Sequence, residues 1–243
     1  MVTPGILRSV AIRYCTDPLT GRPPTVAGVG ETIEPKYGER YLDALRMAAE
    51  LHRTQSRKGT GVPYVSHLLH VSALVWEGGG DEDTAIAALL HDAVEDQGRG
   101  GCTATEIRER FGDRVRRIVD ECSDAEGDAG DGTKPPWVDR KQRYLDRLGE
   151  HGGDTLLVVL ADKLHNTVSM LEDLEGQSVD QLWGRFNAEP EGSVWYLESV
   201  HRVVAARSIG GPLLDRFDRV LTELAERLGA DRATARPVAK PGR

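Results

Sequence analysis

The sequence predicts an all-α protein, a bundle of helices packed around one core and around a metal site. Three observations carry this expectation. From about Tyr37 onward, apolar residues recur at helical spacing, not at the alternating spacing of half-buried strands. There is no strand–helix–strand alternation and no internal repeat. Finally, two of the most apolar stretches, residues 81–96 and 154–175, carry ionisable groups along their length. An apolar helix does not accept unpaired charge, because burying it costs several kcal/mol, roughly, unless it is paired, protonated or bound to a metal.

The elements follow in order. Residues 1–35 are rich in Gly, Pro and Thr; "ILRSVAIRY" before the turn signal "DPLTGRPP" reads as a strand of a short hairpin in an N-terminal extension. The main domain is expected over 36–228. "YLDALRMAAELHRTQ" places Leu42, Leu45 and Ala49 roughly on one face, with Met47 beside them, and is a helix. "RKGTGVPY" is a loop. "SHLLHVSALVWEGG" is a helix with Ser66 as its N-cap and glycines at its end. "DEDTAIAALLHDAVED" is a third helix, opened by acidic residues that suit an N-terminal dipole. "TATEIRERFGDRVRRIVDEC" splits into two short helices around Gly112, and a polar loop follows. Further helices are expected in "WVDRKQRYLDRLGE", "DTLLVVLADKLHNTVSMLEDLE", "SVDQLWGRF", "SVWYLESVHRVVAAR" and "GPLLDRFDRVLTELAERLG". Residues 229–243 are expected to be a disordered tail.

Composition narrows the function classes. The net charge of −8 argues against a nucleic-acid surface, and no run of apolar residues is long enough for a membrane span. The N-terminus lacks the apolar stretch of a secretory leader. Cys15, Cys102 and Cys122 are odd in number and far apart, which suits neither a disulfide framework nor a cysteine-rich zinc site. A reducing cytoplasm is the expected compartment. An acidic protein that binds a phosphorylated small molecule needs a local cation, from Arg, Lys or a metal.

Three places supply metal-type ligands: His67, the pair His91-Asp92, and Asp162. Asp162, His165, Asn166 and Ser169 stand at i, i+3, i+4 and i+7, one stripe of a helix. Two imidazoles and two carboxylates suit Mn²⁺, Fe²⁺ or Zn²⁺, and octahedral Mn²⁺ leaves positions for water and substrate. Glu95 and Asp96 lie one helical turn beyond His91-Asp92, where they can orient or deprotonate an attacking water. His70 and His165 stay without an assigned duty; His52, His151 and His201 read as structural.

Four motifs in order, "RKGTGVPYVSH", "AALLHDAVED", "FGDRV" and "LADKLHN", carry a resemblance. Over about residues 40–205 the chain resembles the HD-domain phosphohydrolases. Within them it is similar to the (p)ppGpp hydrolase branch related to RelA/SpoT and to small alarmone hydrolases, the metazoan SpoT homologue among them. The resemblance implies that His67, His91, Asp92 and Asp162 hold one Mn²⁺, and that Glu95 and Asp96 activate or position the water. It implies that Arg57 and Lys58 meet substrate phosphates, that Asn166 contacts sugar or phosphate, and that Tyr196 belongs to the nucleotide pocket. The chain departs from the pattern at Leu68, where proline is usual, at Val168 and Ser169, and in a loop one residue longer after Lys58.

The function expected is Mn²⁺-dependent hydrolysis of the 3′-diphosphate of (p)ppGpp to GDP or GTP and pyrophosphate. With no synthetase domain in the sequence, the expectation is degradation alone. The partner is a phosphorylated nucleotide, with neither nucleic acid nor membrane involved. Two alternatives stand beside it: hydrolysis of another nucleotide such as (p)ppApp or NADPH, and an interaction protein that neutralises an alarmone synthetase.

Overall fold

The computed structural model describes residues 37–94, 102–123 and 135–240, so the expected N-terminal hairpin lies outside the described residues. Those residues fall in one compact unit that starts at Tyr37. They form α1 (Glu39–Leu51), α2 (Val65–Glu77), α3 (Glu82–Leu90), α4 (Cys102–Phe111), α5 (Asp113–Cys122), α6 (Trp137–Leu148), α7 (Gly153–Gly176), α8 (Val179–Trp183), α9 (Pro190–Ala206) and α10 (Pro212–Leu228). Among the described residues pairing of the β type is limited to two isolated bridges, Ser56–Pro63 and Ala188–Ala239. The all-α expectation holds. None of the described helices is long and apolar enough to cross a membrane.

α7 is the axis of the bundle. Every residue from Thr155 to Asp162 is buried, as are Leu164 and Thr167. A helix apolar on all sides must be covered on all sides, and α2, α3, α5, α8, α9 and α10 all pack on it. α3 is similar: all its residues from Thr84 to Leu90 are buried, and it lies against α1, α2, α5 and α7. Each fully buried Leu, Ile or Val contributes about 1.5–3 kcal/mol of transfer free energy. Asp162 on α7 and the His91-Asp92 turn that follows α3 are therefore set among buried residues.

Two helix boundaries differ from the sequence reading. α2 is capped at Tyr64 and has no side-chain cap, so Ser66 sits inside the first turn. Winding starts at Pro63, whose carbonyl accepts from Ser66 N at 3.1 Å; the fixed φ of proline presets that turn. α3 ends at Leu90, and His91 and Asp92 form a turn before Ala93 and Val94 resume helical geometry. His91 Nδ1 lies 2.8 Å from the carbonyl of Ala88, which in an unbroken helix accepts from the amide of residue 92. The side chain competes for that acceptor. At the start of α3, Asp81 accepts from Thr84 N at 3.0 Å, as its acidic opening suggested.

The tail expected to be free is partly packed. Glu189 N donates to Val238 O at 3.1 Å and Lys240 N to Asn187 O at 2.9 Å, laying residues 238–240 along the start of α9. Gly192 makes this possible: a Cβ there meets Val238 O at 2.1 Å. Arg232 pairs with Glu198 at 2.7 Å and with Asp218 at 2.8 Å. Composition hid this, because the segment has few apolar residues and is held by backbone and charge.

Candidate metal centre and substrate cleft

Tertiary packing brings four proposed ligands to one point from three places in the chain. α2 supplies His67, the turn after α3 supplies His91 and Asp92, and α7 supplies Asp162. His67, His91 and Asp162 each offer a ligand atom, all within 4.8 Å of one another. His67 Nε2 lies 3.3 Å from Asp162 Oδ1 and 3.8 Å from Asp92 Oδ2. His91 Nε2 lies 3.1 Å from Asp92 Oδ2 and 3.8 Å from Asp162 Oδ1. Both carboxylates thus face both imidazoles.

The donor set fits a divalent cation. His91 uses Nδ1 on the Ala88 carbonyl, and its buried Nε2 has no hydrogen-bond partner among the described residues despite the nearby carboxylates. Leaving such an atom unmatched is costly, and a metal bond satisfies it. The two carboxylates with two neutral imidazoles carry a formal charge of −2, opposite to that of the ion. Burial works against charge on His91, but Asp92 and then Asp162 push its pKa well above the ordinary value. Burial likewise opposes ionisation of Asp162, yet Lys163 and then the two imidazoles hold its carboxyl well below the usual range. Both shifts show the two carboxylates drawing positive charge to this point.

Further groups orient the carboxylates. Tyr64 OH donates to Asp92 Oδ2. Lys163 Nζ and Asn166 Nδ2 each donate to Asp162 at 2.5 Å. Burial opposes the charge on Lys163, but Asp162, followed by Tyr196 and Tyr144, raises its pKa well above the ordinary lysine value. It is therefore an ammonium. Behind it lies a small cavity of about 50 Å³ between the cluster and Cys122, Lys141, Tyr144 and Tyr196. Burial pushes the Cys122 thiol far up, so it lines that cavity as a neutral group.

A cleft of about 870 Å³ shares Lys141, Lys163 and Tyr196 with that small cavity, and Arg57, Lys58, Asn166 and Tyr196 all line it. Arg57 Nη1 donates to Asn166 Oδ1 at 3.1 Å, which joins the loop after α1 to Asp162 through one amide side chain. Lys58 Nζ sits 5.8 Å from the centre of the Phe186 ring. The loop is pinned by Arg185, which donates to Asp173 at 2.9 Å and to the Lys58 carbonyl at 3.4 Å. Gly59 has φ +76, and a Cβ there meets Arg185 Cδ at 2.3 Å, so both backbone and space call for glycine. Tyr196 is a buried core residue that also lines the cleft, with Lys141 Nζ 4.7 Å and Lys163 Nζ 5.5 Å from its ring centre. Glu95 and Asp96 lie outside the described residues.

The sequence reading passed over Lys163, Lys141 and Tyr64. Lys163 and Tyr64 stand beside named residues in "LADKLHN" and "PYVSH", so the signal was present. Lys141 had none, since only the packing of α6 brings it near. His165, left without a duty, has its Nδ1 2.8 Å from His67 Nδ1. Burial, then His67, Arg57 and His70, hold its pKa down to about 3, so it is neutral. His70, exposed, bonds the Ser66 carbonyl at 2.8 Å and lines the cleft.

Comparisons with known proteins converge on these elements. The HD-domain family model matches residues 44–189, which includes every proposed ligand. The mouse guanosine-3′,5′-bis(diphosphate) 3′-pyrophosphohydrolase MESH1 is 38% identical over 130 residues, covering 52% of this chain and 67% of the mouse protein. A guanosine-3′,5′-bis(diphosphate) 3′-pyrophosphohydrolase of Aquifex aeolicus is 45% identical over 86 residues, covering 35% of this chain but only 12% of that longer protein. The solved structure of a metazoan ortholog of SpoT that hydrolyses ppGpp superposes with a TM-score of 0.62 at 23% identity, covering 78% of this chain and 98% of that one. That likeness establishes the fold. With the imidazole–carboxylate cluster inside the matched region, the chain belongs to the HD-domain family, in the branch of the guanosine-3′,5′-bis(diphosphate) 3′-pyrophosphohydrolases.

Proposed function

We propose that this chain is a Mn²⁺-dependent pyrophosphohydrolase that cleaves the 3′-diphosphate of (p)ppGpp. The observation that carries the reading is the cluster of His67, His91, Asp92 and Asp162 next to a cleft whose wall holds Arg57, Lys58, Lys141 and Lys163, the last two also lining the small cavity at the cluster. Anionic ligands of the cluster attract the ion; cations in the wall attract the phosphates. The names of the mouse and bacterial relatives support the nucleotide. Mixed nitrogen and oxygen donors support Mn²⁺.

When bound, the divalent ion acts as a Lewis acid and lowers the pKa of water. The chain's own residues do the rest. Arg57, held by Asn166, and Lys58 fix the diphosphate. Lys163 keeps Asp162 ionised and stands with Lys141 beside the Tyr196 ring, where both offset phosphate charge. Glu95, three residues after Asp92, accepts the proton of the attacking water, and Asp96, next in the chain, helps to position it. Water oxygen bonds to the phosphorus on the ribose 3′-oxygen, that P–O bond breaks, and the 3′-oxygen gains a proton. The products are pyrophosphate and GDP or GTP.

The test is incubation of purified protein with ppGpp, pppGpp and a panel of other phosphorylated nucleotides, with Mn²⁺, Mg²⁺ and Zn²⁺ in turn. Stoichiometric pyrophosphate and GDP from ppGpp are expected, fastest with Mn²⁺. No release of pyrophosphate under any of these ions refutes the reading. Glu95→Gln should keep metal and substrate affinity and lose turnover by about 10²–10⁴; loss of the metal instead makes Glu95 a ligand.

A further inference from the structure

We propose that His165 is a positioning residue that sets the tautomer of His67, and with it the strength with which the cluster holds its ion. This rests on the metal reading above but not on the identity of the nucleotide. The key fact is that two Nδ1 atoms, of His67 and His165, face each other at 2.8 Å. Only one hydrogen fits between them. If it belongs to His67, then His67 Nε2 carries a lone pair toward Asp162, 3.3 Å away, and is a ligand. If it belongs to His165, the neutral His67 ring has its hydrogen on Nε2 and offers the ion no electron pair. His165 thus decides whether α2 contributes a ligand at all.

The two imidazoles of the cluster are oriented by different means. His91 donates to the Ala88 carbonyl, which can only accept, so its tautomer is fixed by the backbone. His67 relies on a side chain that can accept or donate. That side chain is on α7, three residues after Asp162, so one helix bears both a ligand and the group that orients a ligand on α2. The pairing ties the register of α2 against α7 to metal affinity. His165 also lines the cleft, with its ring centre 4.6 Å from that of His70.

The test compares His165→Leu, which removes the acceptor at similar size, with His165→Asn, whose Oδ1 occupies the place of Nδ1 and accepts. Affinity for Mn²⁺ and for Zn²⁺ alone is measured on the full chain by competition with a chelating dye. His165→Leu should bind about 10–100-fold more weakly, and His165→Asn should recover most of that loss. In parallel, long-range ¹H–¹⁵N spectra of the unaltered, Zn²⁺-loaded chain should place the hydrogen of His67 on Nδ1 and that of His165 on Nε2. The proposal is overturned by affinity within about twofold for His165→Leu, by an Asn variant no better than Leu, or by a hydrogen on His165 Nδ1. If the Leu variant does not fold, the spectra of the unaltered chain and the Asn affinity decide. No nucleotide enters these measurements, so failure to hydrolyse ppGpp leaves their outcome intact.

Discussion

Asp162→Asn separates what the cluster does for folding from what it does for the ion. Asp162 and Lys163 have only 11% and 18% of their side chains exposed, and their ion pair is 2.5 Å long. Amidation leaves an ammonium largely buried and faced by a neutral group. Removing one partner of a buried pair costs about 3–5 kcal/mol, and the residual exposure here argues for the lower end, about 3 kcal/mol. For a domain of this size that lowers Tm by about 6–12 °C. The substitution also reduces the cluster from two carboxylates to one. In the unaltered protein, free Mn²⁺ at about a hundred times Kd adds about 2.7 kcal/mol, a further rise of about 5–11 °C in Tm. Asp162→Asn should abolish that rise. The double change Asp162→Asn with Lys163→Met removes the stranded charge, so it should regain most of the lost Tm but none of the metal response. Differential scanning calorimetry of the three proteins, each with and without Mn²⁺, reads all six states. A single variant that loses less than about 1 °C, or a double variant that still gains stability from Mn²⁺, refutes the reasoning.

Arg57→Ala removes the cation that bonds Asn166 at 3.1 Å; KM for ppGpp should rise about tenfold, as for one charge-assisted bond, with little change in Tm, and unchanged kinetics return Arg57 to the surface. Asp81 is held at about 2 against an ordinary 3.8 because Arg114 and Thr84 outweigh burial. A carboxyl with a depressed folded-state pKa stabilises above its unfolded value and loses that contribution as pH falls toward about 2. Asp81 is largely exposed, so the contribution is below about 1 kcal/mol; Asp81→Asn, which keeps an N-cap, should flatten acid denaturation between about pH 4 and 2, read by circular dichroism. Truncation after Gly229 removes the Arg232 pairs with Glu198 and Asp218. It should cost about 2 kcal/mol, or about 4–8 °C in Tm, and raise KM for ppGpp because Asn187 and Ala188 line the cleft; an unchanged Tm means the strap bears no load.

The sequence by itself determined the helical fold and the chemical character of the site. Helical periodicity is local, and so are the motifs: "LLHDAVED" and "LADKLHN" announce charge inside apolar helices, which physics allows only with a partner. It also placed Gly112 between two helices, where the backbone indeed turns with φ +93. Capping was less legible, since Pro63 and the His91 side chain, through contacts of one turn, moved the ends of α2 and α3 away from their sequence signals. Only the tertiary structure decided how the pieces meet. That Tyr64 serves Asp92, that Lys141 reaches the Tyr196 ring, and that His165 faces His67 are relations between residues 28 to 98 apart in the chain. The packed tail belongs with them. Such contacts depend on helix register and side-chain direction, which a one-dimensional pattern constrains only to a face. The ionisable groups were visible in the chain; which of them share a proton, an ion or a hydrogen bond was set when the core closed around α7.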